Sequence, residues 1–334
     1  MKKIILPIII LMSLPLIFQT TPTEILKLKT FDYLINTPEP SGNFTILNIT
    51  EEDLEREGGY PLPREKLADI QLEILSKGAM GVGWVISFPQ ADRLGGDSRF
   101  AASLGYVPSV LATFETPNGN YPKTTGTVIK GSNVGGVTVS GVKENYKAYD
   151  NILQGMAIAP VEVDQLVRRI PLLLKTPDGW SASFGTQVLK ILTNTPTYII
   201  TTNENGIQEI AVRGLPPVKT DSLGRKWVSW VETEQTDLEE MNVNGKFVFV
   251  GITANGVMPQ IATPVGLLEP HKIQTALAES ILIQNSPYIP DWALAVELLT
   301  LIVTVTLVWF LLFYLGITWG LVLGVLTASV TALG

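Results

Sequence analysis

Between Trp292 and Leu315 the chain carries a single charged residue, Glu297. A run this long and this apolar can cross a hydrocarbon core with some tilt, so it predicts a transmembrane helix over 291–315. Tyr288 and Trp292 fit an interfacial aromatic belt. Glu297 lies under two turns from the helix start, where a carboxylate reaches the headgroups, so it reads as an interfacial residue rather than an intramembrane functional group. At the other end of the chain, Lys2 and Lys3 precede an uncharged run from Ile4 to Phe18, which orients the N-terminus toward the cytoplasm. That run spans about 22 Å against a core of roughly 30 Å, so two readings stand for residues 1–19, a transmembrane anchor and a cleaved signal peptide. No small-x-small site follows Phe18, which favours the anchor. After an expected turn at 316–320, residues 317–334 read as the start of a further membrane helix, in a sequence expected to continue past it.

The 334 residues are 46% hydrophobic and 16% charged, with mean hydropathy +0.27. That mix is too apolar for a purely soluble protein and too polar for a multispan transporter. A large soluble domain over 20–290 must therefore separate the spans. Net charge −7 leaves no basic surface for nucleic acid, which is excluded as a partner. Cysteine is absent, so disulfides and thiolate metal sites are excluded too.

Within the domain, Phe44 to Ile49 reads as a buried strand. Pro63 to Lys77 reads as a helix with Leu67, Ile70 and Ile74 on one face, started by Pro63 and stopped by Gly78. Strands are expected at Ala79 to Phe88 and Pro108 to Phe114, with a short helix over Phe100 to Leu104 between them. Residues 115–149 read as irregular strands or a hairpin insertion. Lys246 to Ile252 is a continuous apolar strand, and Pro270 to Gln284 a helix with Ile273, Leu277 and Ile281 inward. This rhythm predicts an α/β fold, a mostly parallel mixed sheet flanked by helices and tethered to the membrane at both ends.

The pieces, in this order, resemble the second class of CHASE domain, a sensing module of bacterial receptors that precedes cyclases and kinases. The most specific piece is Gly59-Tyr60-Pro61-Leu62-Pro63-Arg64, similar to the family's Gly-Trp-Pro-Trp-Pro-Arg. Glu51 and Glu52 after the first strand, Phe88 to Asp97, and Asp164 with Arg168 and Arg169 add to it. So do Gly245 to Gly251, Thr263-Pro264 with His271, and Pro290-Asp291-Trp292. Two positions depart from the family: Val85, and Pro259-Gln260 ahead of the Thr-Pro, both where an acid is usual. The resemblance implies an extracytoplasmic sensory input domain held at the inner (cell) membrane, in the periplasm. On that resemblance the chain is expected to bind a small ligand and to couple, as a homodimer in the bilayer, to a cyclase or kinase beyond it.

The residues themselves offer little catalysis. His271 is the only histidine; no G-x-S-x-G elbow accompanies it, and it reads as a helix residue bonded to a neighbour. Gly131 to Gly136 lacks the Lys-Ser/Thr of a phosphate loop. No catalytic residue, metal set or cofactor is read. A binding crevice in an open α/β sheet lies beyond the carboxyl ends of its strands, which would gather Glu51, Ser87 and Asp97, Thr253 and Thr263. Arg64 could clasp an anion there, although a salt bridge to Glu51 or Glu52 is the simpler reading. Asp97 fits a helix N-cap as well as a ligand group. Asp164 and Arg168 join the candidate set through the resemblance. Two other functions stay open: a membrane-anchored structural or partner-binding protein, and a tethered hydrolase that would need an acid pair such as Asp97 with Glu51.

Overall fold

The computed structural model describes Pro7 and residues 20–35, 37–132, 135–284, 287–290 and 292–333. Apart from Pro7, the anchor expected over 1–19 lies outside the described residues, as do Asn285 and Asp291 of the link before the membrane helix. Two units form: Thr37–Tyr288, and Met1–Asn36 with Ile289–Gly334. Helix α1 (Thr21–Leu34) belongs to the smaller one.

The larger unit opens with β1 (Phe44–Ile49), α2 (Glu51–Arg56), α3 (Arg64–Ser76), β2 (Gly81–Trp84), α4 (Asp97–Leu104) and β3 (Ser109–Asn120). The stretch read as irregular holds β4 (Gly126–Lys130) and β5 (Val142–Lys143), followed by β6 (Leu153–Met156) and β7 (Arg169–Pro171). A hairpin of β8 (Leu173–Thr176) and β9 (Gly179–Ala182) leads into α5 (Phe184–Leu192). Next come β10 (Thr197–Asn203), β11 (Gly206–Val212), β12 (Val218–Lys219), β13 (Arg225–Trp227) and β14 (Gln235–Thr236). The unit closes with β15 (Phe247–Ile252), β16 (Ile261–Thr263), β17 (Gly266–Leu268) and α6 (Pro270–Ile283).

Seven strands make the main sheet, in the order β14-β1-β15-β2-β3-β5 with β6 also on β3. Every pairing is parallel except β3 with β5. The expected mostly parallel mixed sheet is therefore present. Its central strand is the late one: β15 lies between β1 and β2, in register with β1 from Phe44 opposite Phe247 to Ile49 opposite Ile252.

A strand buried on both faces must be apolar throughout, and β15 is. Phe247 and Phe249 point into a core shared with Phe44, with Phe184 of α5 and with Ile273 and Leu277 of α6. Val248, Val250 and Ile252 point into a second core with Ile70 and Ile74 of α3 and Phe100 of α4. Each such side chain contributes roughly 1.5–3 kcal/mol on burial, so helices cover both faces. Gly251 sits under α6, where a Cβ would stand 2.1 Å from the His271 ring; only glycine lets helix and strand pack this closely.

A four-stranded sheet, β12-β11-β10-β4, forms separately, with only β4 and β10 parallel. Where the incoming chain approaches α6, the backbone N–H of Ser41 donates to Glu279 Oε2 at 2.9 Å. Burial raises the Glu279 pKa despite that bond.

In the smaller unit, α7 (Ala293–Leu333) is one unbroken helix of 41 residues. The turn expected at 316–320 does not form. The segment has no proline, and two glycines cost only about 1 kcal/mol each in a helix. At about 62 Å the helix is twice the roughly 30 Å core of a bilayer. Its first part, Ala293–Phe310, has mean hydropathy 2.2, enough to cross a membrane by length and composition. Glu297 is not alone there, since Lys27 of α1 lies 2.5 Å from its carboxylate.

Candidate functional site

The sheet order leaves a crevice of about 260 Å³ where fold rules place one, beyond the carboxyl ends of parallel strands. It is lined by the 60–64 turn before α3, the 86–93 loop after β2, and Ile252 at the end of β15. Tyr60, Leu62, Ile86 and Ile252 supply an apolar wall; Arg64, Ser87, Gln90 and Arg93 supply the hydrogen-bond donors.

Local chemistry fixes this loop. Asp92 accepts from the backbone N–H groups of Arg64 (2.9 Å), Leu94 (3.1 Å) and Gly96 (3.4 Å). Burial opposes its charge, but those bonds and the nearby Arg64 cation hold its carboxyl below the usual carboxylate range. Asp97 Oδ2 accepts from the Asp92 N–H at 2.7 Å and Oδ1 from the Tyr149 hydroxyl at 2.6 Å. Burial, then the Asp97 carboxylate, push the Tyr149 hydroxyl's pKa up, so it stays a proton donor to Asp97.

Arg64 lies over this pair. Its guanidinium stacks 4.5 Å from the centre of the Phe88 ring and Nη1 donates to the Leu62 carbonyl at 3.4 Å. Asp97 Oδ1 is 3.8 Å from Nε, an ion pair without a hydrogen bond. Buried Nε has no hydrogen-bond partner. The salt bridge expected from Arg64 to Glu51 or Glu52 is thus replaced by one to Asp97, because the 60–64 turn aims the side chain at the 86–97 loop. Nor is Asp97 the N-cap of α4; Gly96 takes that position and Asp97 is the first helical residue.

Arg64, Ser87 and Asp97 thus converge at or beneath the crevice. Glu51 and Thr253 meet one another's segments at the adjacent strand ends. Glu51 Oε2 accepts from the Asn255 N–H at 2.9 Å, and the Thr253 N–H donates to the Ile49 carbonyl at 3.0 Å. The acid pair a hydrolase would need does not assemble, since Asp97 is bonded to Tyr149 and Asp92 while exposed Glu51 is bonded to Asn255. Thr263 closes the β16–β17 hairpin by donating to the Gly266 carbonyl at 2.7 Å. Asp164 and Arg168 form a bidentate pair, both contacts 2.8 Å, with Arg168 fully buried; the Arg168 cation lowers the Asp164 pKa. Neither that pair nor Thr263 lines the crevice.

The two positions where the resemblance expects an acid are explained locally. Val85 is fully buried in the core with Phe184 and Phe249, and Gln260 donates to Glu269 at 3.1 Å. His271 is bonded to Asn48 of β1 at 3.0 Å through Nε2, while Nδ1 is unpaired. Burial depresses its pKa to about 3, so it is a neutral structural residue. Among the described residues no group of three or more His, Asp or Glu could hold a metal.

The CHASE2 domain profile matches residues 6–315, nearly the whole chain. The protein belongs to the CHASE2 family. CHASE2 domains are extracytoplasmic sensors of membrane receptors and are not themselves catalytic. No curated protein and no solved structure matches this CHASE2 chain.

Asp92, Arg93 and Tyr149 were absent from the candidates read in the sequence. Asp92 and Arg93 lie inside the Phe88 to Asp97 stretch that carried part of the resemblance, so that stretch pointed to them without ranking them. Tyr149 reaches Asp97 across 52 positions, and no local pattern marks such a partner.

Proposed function

We propose that this CHASE2 chain is the sensory input region of a transmembrane receptor, with the crevice between the 60–64 turn and the 86–93 loop as its ligand site. Ligand occupancy there changes the helices that lead to the membrane, and through them a cyclase or kinase. The observation that supports the reading most is convergence: the turn before α3 and the loop after β2 meet the distant end of β15 at the carboxyl ends of parallel strands, around an apolar wall with donors on its rim. Family membership supports the sensory role, and the crevice supports this choice of site.

The test uses the absence of cysteine. In the full chain, reconstituted in lipid, Lys27→Cys with Glu297→Cys gives a unique pair whose oxidative cross-linking reports α1 against α7. Ser87→Trp fills the crevice. A change of twofold or more in cross-linking rate is expected when the filled and open proteins are compared. An identical rate in two equally folded proteins would sink the coupling.

A further inference from the structure

The charges around the crevice specify more than a binding site. Of its two aspartates, Asp92 is occupied by three backbone N–H groups, and Asp97 by Tyr149 and the Asp92 N–H. Both are held as acceptors by donors of the fold itself. The two arginines are in the opposite state. Arg64 lines the crevice with its guanidinium held by stacking on Phe88, and its one hydrogen bond, to the Leu62 carbonyl, is a long 3.4 Å. Arg93 is exposed on the rim and makes no ion pair among the described residues. The crevice therefore presents cationic donors and has its anionic acceptors already used.

From this we propose that the crevice binds a small monocarboxylate with an apolar body, its carboxylate gripped by the guanidinium edge of Arg64 and by Arg93. The inference rests on the reading of this crevice as the ligand site and adds the ligand's chemical class. Two guanidinium groups against two aspartates leave no net charge before a ligand arrives, so each negative charge brought in is uncompensated and a monoanion is favoured over a dianion such as phosphate. A planar guanidinium matches a planar carboxylate through paired N–H donors. Tyr60, Leu62, Ile86 and Ile252 then wall the apolar body, and about 260 Å³ has room for a single ring.

Because the chain has no cysteine, Gln90→Cys places one thiol on the exposed rim of the crevice. The rate of its alkylation by a neutral maleimide, in the full chain in lipid nanodiscs, reads occupancy. Benzoate is expected to slow the reaction at least tenfold at saturation, while benzamide and benzamidine do not. Arg64→Gln and Arg93→Gln, each added to Gln90→Cys, should raise the benzoate concentration for half-protection at least fivefold. Arg93 is exposed, so its variant tests the grip without endangering the fold. Benzamide or benzamidine protecting as well as benzoate, or an Arg93→Gln protein that responds like its parent, overturns the carboxylate class but leaves a binding crevice. Protection by none of the three probes overturns both the class and the crevice as the ligand site.

Discussion

Arg168 and Arg64 both sit beneath the surface beside aspartates, yet their donors are disposed differently. Arg168 has no exposed side-chain surface and engages Asp164 through two 2.8 Å bonds. Arg64 keeps 13% of its side chain exposed and stands 3.8 Å from an aspartate already bonded elsewhere. A buried charge that is fully matched belongs to the fold, because removing either partner strands the other in a medium that solvates it poorly. A charge held in place but short of partners is available to something that arrives later. Sequence spacing did not separate the two cases, since each arginine has an aspartate in prospect. Only the count of bonds does so.

The largest test of this contrast is Arg168→Gln, which leaves the Asp164 carboxylate buried without its cation. A loss of about 3–5 kcal/mol in chemical denaturation is expected; a loss under about 1 kcal/mol would erase the distinction. His271 extends the comparison to a buried base that has no ion to match. Its folded pKa of about 3 lies below the unfolded value near 6.5, so the neutral form is the one the fold favours. Its contribution is therefore complete above about pH 6.5 and is lost as pH falls toward about 3. Thermal melts across that window should decline by up to about 4 kcal/mol, and His271→Gln should flatten the decline.

Lys226 is the converse, a buried cation with no ion pair among the described residues. Burial lowers its pKa to about 8. Carrying the charge at pH 7 costs the fold, so Lys226→Met should stabilise by about 2–3 kcal/mol at pH 7. The gain should shrink as pH rises from about 8 toward about 10.4, where the unfolded lysine also loses its proton; a gain independent of pH would point to packing instead. The smallest effect belongs to Arg64→Gln, which forgoes the Phe88 stack and a long ion pair, for about 1 kcal/mol in the same denaturation assay. A loss as large as that of Arg168 would class Arg64 with the structural arginines.

Much of the main sheet was legible because its strands and helices carry strong periods. β1, α3, β15 and α6 appear within a residue or two of where their apolar patterns end. The β4 to β14 region was not legible. Most of its strands are two to five residues long, and even Thr197 to Asn203, at seven, pairs with partners in Gly126 to Lys130 that no local pattern announces. The position of β15 between β1 and β2 is a long-range choice and leaves no mark on neighbouring residues. The crevice was legible in outline, through the strand ends and the 59–64 turn, but not the placing of its charges. Arg64 was read toward Glu51 or Glu52 because those acids are nearer in sequence, whereas the turn directs it toward Asp97. The Gly316 and Gly320 pair suggested a break that the apolar sequence between them overrides.

The bond from the Ser41 N–H to Glu279 joins the first stretch of the sensory unit to its last helix. A domain whose two ends are fastened together can be lifted out of one chain and inserted into another without pulling its sheet apart. The CHASE2 fold is in this sense a cassette. New termini opened at an exposed loop would leave that fastening intact.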